Sequence, residues 1–291
     1  MNRSTVGLLN GIAGVVIFSG SLVATRLAVV DIGPVSLTAG RAAVAGACGG
    51  ALLLLAREPL PRRDDLLVLA VVALGVVVGF PFLSALALTE MNAARATVFT
   101  GLLPLATAVA ASLRAEERPR PSFWVFAILG SAIVAGFAAS GAAGGSIAAD
   151  GAMLGAVVTC GIGYAEGARL TRRLGGWQVI SWALVLSLPV TVPVAVLTAP
   201  DLSAVGAPAL AGFAYVSLFS MLIGFVFWYR GLAIGGIAAV GQVQLLQPFL
   251  GLAAAAAILG EPVGLGVVAV AAAVLGCVAA ARRVAAPARP R

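Results

Sequence analysis

The chain of 291 residues is 61% hydrophobic and only 10% charged, with a mean hydropathy of +1.09, whereas ordinary globular domains are roughly a quarter charged. That composition predicts a polytopic membrane protein and leaves no room for a soluble catalytic domain. Histidine is absent, which excludes a Ser-His dyad and histidine metal ligation. The net charge of +7 does not point to nucleic acid, because its placement follows membrane topology.

A helical span needs about 20 apolar residues. The sequence supplies ten such runs, near 6–30, 35–56, 66–88, 93–113, 122–140, 151–168, 177–198, 209–229, 237–258 and 263–281. Transmembrane strands would show alternating segments about half as long, so the runs are read as helices. With the N-terminus placed in the cytoplasm, fifteen of the eighteen basic residues fall on the cytoplasmic side. This is the positive-inside pattern. It predicts cytoplasmic termini and a multi-pass protein of the bacterial inner membrane.

In the first run, Asn10, Gly14, Ser21 and Thr25 share one helical face, as residues three or four apart do. Asn10 and Ser21 are therefore candidates to line an aqueous path, and the glycines of this run are candidates for close helix packing. Arg41 lies inside the second run, where a charge needs partners or water. A structural role, hydrogen bonding to helix carbonyls, is expected of it. The third run carries Phe80-Pro81-Phe82, and the fourth carries Thr97, Thr100, Pro104 and Thr107 on one face. A proline inside a helix leaves the carbonyl four residues earlier without its donor, which releases Val77, Thr100 and, through Pro248, Gln244. Such acceptors are tolerated at membrane depth where they face protein or a cavity.

Pro104 and Glu117 are thirteen residues apart, and so are Pro248 and Glu261, with 144 residues between the copies. The chain is thus read as a duplicated unit, 1–145 and 146–291, joined at the glycine-rich stretch Gly141–Asp150. Five spans is an odd number, so the second copy must insert inverted. The predicted fold is all-α, ten transmembrane helices in two inverted five-helix repeats around a central cavity. Glu117 and Glu261 each precede a proline-opened helix, and are expected to be structural, capping it.

In the sixth run Tyr164 is a cavity candidate, while Glu166 is expected to pair with the basic stretch Arg169–Arg173. In the eighth, Tyr215 and Phe219 are one turn apart and Tyr215 is a further cavity candidate, while Phe225 to Tyr229 read as an interfacial aromatic belt. In the ninth, Gln244, Gln247, Pro248 and Gly251 form one stripe, with Gln242 pointing elsewhere, and Gln244, Gln247 and Pro248 are expected to line the cavity together with Thr100 and Pro104 of the fourth. Cys48, Cys160 and Cys277 are isolated from one another and imply neither metal nor disulfide.

Arg41 early in helix two, Phe227-Trp228-Tyr229 followed by Gly231-Leu232, and the Pro104/Glu117 and Pro248/Glu261 pairs together resemble the drug/metabolite transporter superfamily, in its ten-helix branch of EamA-type permeases. The likeness covers essentially the whole chain. Phe80, Phe99 and Tyr164 make the chain similar to YddG-like amino-acid exporters. The resemblance implies a basket of helices, with helices 3, 4, 8 and 9 around the cavity and helices 5 and 10 peripheral. Where the short multidrug relatives carry a glutamate in helix one, this chain has no acid, which disfavours proton-coupled export of cations.

These readings lead to an exporter of small metabolites, amino acids first, working by alternating access. Export of drugs, nucleosides or sugars is the alternative within the superfamily, and a membrane sensor or scaffold the alternative outside it. No enzymatic activity and no cofactor are expected. The expected partners are a small-molecule substrate and the bilayer, without nucleic acid or an obligatory protein partner.

Overall fold

A computed structural model describes residues 3–113, 121–140, 146–235 and 242–285. Among these residues the chain forms ten apolar helices, seven of them long and apolar enough to cross a membrane and three shorter. They are α1 (Thr5–Ile32), α2 (Pro34–Leu55), α3 (Arg63–Glu90) and α4 (Ala93–Leu113), then α5 (Pro121–Ala139), α6 (Ile147–Leu174) and α7 (Gly176–Leu197). α8 (Ala207–Gly231), α9 (Val243–Leu259) and α10 (Leu265–Ala285) complete the set. α1, α3, α5, α7 and α9 start at the end of the bundle where the chain begins, called here the near end; the opposite end is the far end.

The helix pairings obey one rule. α1 runs the length of α8, and α6 runs the length of α3; α4 packs on α6, and α9 packs on α1; α2 pairs with α7, α5 with α10, and α4 with α9. Exchanging each helix with the one five places along leaves that set unchanged, which is what a two-fold axis between inverted repeats requires. Local backbone distortions repeat as well. α3 widens into a π-helix over Ala73–Gly79 and α8 over Tyr215–Ile223. At their ends Phe80 N–H reaches the Gly75 carbonyl and Gly224 N–H the Phe219 carbonyl, two bonds separated by 144 residues in the sequence. α4 breaks at Gly101–Leu102, just before Pro104, and α9 opens with a 3₁₀ segment, Gln242–Leu246, just before Pro248. All four irregularities sit midway along the bundle, where a π-turn or a broken helix is commonly associated with function.

α1 is also interrupted, at Gly20, between Arg3–Ser19 and Ser21–Ile32. A Cβ at Gly20 would lie 2.6 Å from the Tyr215 hydroxyl oxygen, and that hydroxyl donates to the Ile17 carbonyl at 2.7 Å. Glycine is needed for the approach, and the tyrosine adds a short bond to a carbonyl that the break leaves with only a 3.3 Å bond from Gly20 N–H. Towards the near end α1 and α8 touch closely: a Cβ at Gly231 would stand 2.7 Å from the Gly11 nitrogen. The glycines of this run therefore pack, as small residues do in lipid.

Two expectations are corrected here. The stretch Phe225–Tyr229 is not an interfacial belt: Phe225, Trp228 and Tyr229 are buried, and only Phe227 is substantially exposed. Trp228 lies against Gly14 and Tyr229 against Gly167 and Gly176, so the rings fill space that those glycines leave open. Glu261 does not cap the helix that follows it. Gly260 takes a left-handed turn (φ 65°), the next helix starts only at Leu265, and Pro262 is not helical. The Glu261 carboxylate instead accepts from Ala93 N–H at 2.9 Å and Ala94 N–H at 2.7 Å. It caps α4, across the bundle. Asn92 takes the Arg95 N–H at 2.7 Å, so three of the four unpaired donors at the start of α4 are met. Glu117 lies outside the described residues, as do Gly141–Gly145 of the expected joint.

The near end carries ion pairs between Asp65 and Arg173 and between Glu166 and Arg169, the latter at 2.9 Å. Glu166 thus meets the basic stretch its spacing pointed to. At the far end, Arg95 grips Asp150 of α6 through two hydrogen bonds, 2.9 and 2.7 Å, and its guanidinium also lies over the Phe137 ring at 5.1 Å.

Candidate functional site

The distortions converge on one central cavity. The space free of protein atoms, open solvent at its mouth included, is about 600 Å³. α3 contributes Val76, Phe80 and Pro81, and α8 contributes Ser220, Met221 and Phe225. These come from the π-helices or the turn after them, where the altered pitch moves side chains off the regular helical face. α4 adds Thr97, Thr100 and Leu103 beside its break, and α9 adds Gln247 and Gly251. α1 supplies Phe18, Ser19, Ser21 and Leu22 on both sides of Gly20; α2 supplies Arg41, and α6 supplies Cys160 and Tyr164. A second cleft, between α5 and α10 near Phe137 and Val267, lies at the edge of the bundle and has no charged side chain in its wall.

The repeat makes the wall quasi-symmetric in position but not in chemistry. Val76 of the first copy answers to Ser220 of the second and Leu103 to Gln247, each pair 144 apart; in α2 and α7, which start after the matching glycines Gly33 and Gly175, 142 apart, Arg41 answers to Ala183. A substrate in this cavity meets a polar group on one side where the other side is apolar.

Of the residues singled out in the sequence, Ser21, Phe80, Thr100, Tyr164 and Gln247 are brought together here, and Arg41 with them. The others lie elsewhere. Asn10 is nearer the start of α1, its amide donating to the Val6 carbonyl at 2.8 Å. Phe99 is wholly buried in the hydrophobic core. Pro104 and Pro248 are buried at the two helix junctions, with Pro248 close to Gly101 where α4 and α9 cross. Tyr215 braces the α1 break and stacks on Phe219 at 5.5 Å. Gln244 is buried but does not line the cavity; the stripe it was read to share with Gln247 is cut where the 3₁₀ segment gives way to the α-helix at Gln247.

Hydroxyl hydrogen bonds within the wall are mostly local. Thr97 Oγ1 donates to the Ala93 carbonyl and Thr100 Oγ1 to the Thr97 carbonyl, at 2.8 and 2.7 Å. Ser19 Oγ reaches the Val15 carbonyl at 2.7 Å and the Gln247 carbonyl at 3.4 Å. Within the wall, a hydroxyl pair joins side chains of the two halves. Ser21 Oγ and Ser220 Oγ are 2.7 Å apart, and Arg41 Nη2 donates to Ser220 Oγ at 3.3 Å.

Arg41 is 4% exposed. No helix carbonyl among the described residues accepts from it, contrary to the role its depth suggested, and its Nε–H has no hydrogen-bond partner. An arginine in a transmembrane segment costs at least about 2.5–3.5 kcal/mol. One long bond to a neutral hydroxyl offsets little of that. Sequence reasoning missed Ser220 altogether, because a serine in an apolar run carries no signal until the fold sets it against Arg41.

Inverted repeats, paired helix breaks at mid-depth and a cavity between them define a membrane transporter. Comparison with known proteins gives the family: the chain belongs to the EamA-like transporter family, whose profile matches it twice, over residues 5–138 and 147–282. A protein of Bacillus subtilis (strain 168), described as "Uncharacterized transporter YdeK", is 62% identical over 284 residues, covering 97% of this chain and 99% of its own. One solved crystal structure superposes with a TM-score of 0.65 at 23% identity, covering 96% of this chain and 99% of that one, a likeness of fold alone.

Proposed function

We propose that this transporter exports amino acids, aromatic ones included, from the cytoplasm by alternating access. The observation that carries the reading is the chemistry of the cavity wall. It combines a cation and hydroxyls (Arg41, Ser21, Ser220), a carboxamide (Gln247) and aromatic rings (Phe18, Phe80, Tyr164, Phe225). Pro104 removes the donor for the Thr100 carbonyl beside the cavity, and an ammonium leaving water needs such an acceptor. A zwitterion finds complementary groups for both charges; a purely apolar molecule would strand them.

The arginine bias supports an orientation with both termini in the cytoplasm of a bacterial inner membrane. In that frame Ser203, exposed beyond α7, is extracytoplasmic, and a cysteine placed there reacts with an impermeant maleimide in intact cells. The transport test is efflux of radiolabelled amino acids from proteoliposomes. Thr100→Val and Gln247→Leu are expected to slow efflux at least fivefold, and Gln244→Leu, off the cavity wall, less than twofold. Equal losses at Gln244 and Gln247, or efflux of nucleosides and sugars but not amino acids, would refute the reading.

A further inference from the structure

Resting on that reading, we infer that Arg41, with the hydroxyl pair Ser21–Ser220, is the receptor for the substrate's carboxylate, and that an anionic carboxylate is the group by which this transporter selects its cargo. A guanidinium has five N–H groups and accepts nothing; here one goes to Ser220 Oγ and the Nε–H goes to no one. Within the serine pair one hydroxyl hydrogen makes the mutual bond. Whichever serine donates it, one hydroxyl hydrogen is left over. The wall therefore holds a buried positive charge and at least two unspent donors from three side chains, all lining the same cavity.

A carboxylate is the ligand this set fits. It accepts through two oxygens and meets a guanidinium along two parallel bonds, and its charge offsets the cost of burying the arginine. A carboxamide of the same shape puts an N–H₂ where an acceptor is wanted and brings no charge. Among the described residues no acid pairs with Arg41, and the carboxylates that the described structure places against arginines, Asp65, Asp150 and Glu166, are held by Arg173, Arg95 and Arg169. Nor does the repeat supply a second cation opposite, since Ala183 occupies the matching position. One end of the substrate is thereby fixed, and the rings and carbonyls are left for the rest.

The test uses purified full-length protein with phenylalanine and alanine, each beside its amide, which keeps the ammonium, and its deaminated acid, which keeps the carboxylate. Binding is read as ligand-induced thermal stabilisation and transport as counterflow in proteoliposomes. Wild type is expected to bind amino acid and acid at least tenfold more tightly than the amide. Arg41→Met should elute as a folded protein, melt no lower than wild type without ligand, and lose the distinction. Ser21→Ala should weaken acid binding severalfold and amide binding hardly at all. If the acids bind through Arg41 but no amino acid is transported, the amino-acid reading falls and the receptor stands. If amino acids are transported and Arg41→Met still discriminates against the amide, the receptor falls and the reading stands. An Arg41→Met protein that melts well below wild type, or a wild type indifferent to the whole panel, overturns the inference.

Discussion

Arg95 and Arg41 are both almost completely buried, at 0% and 4% exposure, and the contrast between them separates scaffold from site. Arg95 makes two short bonds to Asp150, lies over Phe137, and belongs to a helix start whose N–H groups are met by Asn92 and Glu261. Arg41 has one long bond to a hydroxyl and lines a cavity. A buried charge with a full set of partners holds elements together; here it fastens the far end of α4 to α6, across the two repeats. A buried charge without them is a cost that folding alone does not explain.

The largest expected effect sharpens the first half of that contrast. Arg95→Met leaves Asp150 buried without its partner and should cost about 3–5 kcal/mol, seen as a large fall in the melting temperature in detergent. Arg95→Met with Asp150→Leu should recover most of it, since the stranded charge rather than the lost bond carries the penalty. Next comes the brace of α1. Gly20→Ala forces a methyl against Tyr215 and should cost about 1–3 kcal/mol, while the double variant with Tyr215→Phe should be less destabilised than the two single effects summed. Glu261→Gln keeps an acceptor at the start of α4 but loses its charge there, for about 0.3–1 kcal/mol. A loss as large as that of Arg95→Met would mean that Glu261 does more than cap. Smallest of all is Arg41→Met, expected to leave the unliganded melting temperature unchanged or raised. A fall comparable to that at Arg95 would erase the contrast.

Much of the fold is legible in the letters. Ten apolar runs give ten helices, seven of them of spanning length, and two Pro/Glu pairs at constant offset mark the breaks in α4 and α9. The π-helices in α3 and α8 are not legible, because one extra residue per turn in an apolar run leaves the composition unchanged. They nevertheless place Val76, Ser220 and Met221 in the wall. Sequence proximity assigns Glu261 to α10, whereas the left-handed turn at Gly260 delivers its carboxylate to α4. One continuous α-helix would turn Gln244 to the cavity beside Gln247, and the 3₁₀ segment breaks that register. For Arg41, depth in the span argued for partners, and only the fold shows how few it has.

The most direct test of Arg41 as carboxylate receptor is a crystal structure of the wild type with 4-bromophenylalanine, the bromine located by its anomalous scattering. The account predicts bromine among the rings of the cavity, near Phe80 and Tyr164, with the carboxylate within hydrogen-bond distance of the Arg41 guanidinium. A ligand bound in the same cavity with its carboxylate turned away from Arg41, or with an ordered protein group already occupying the guanidinium, would contradict it.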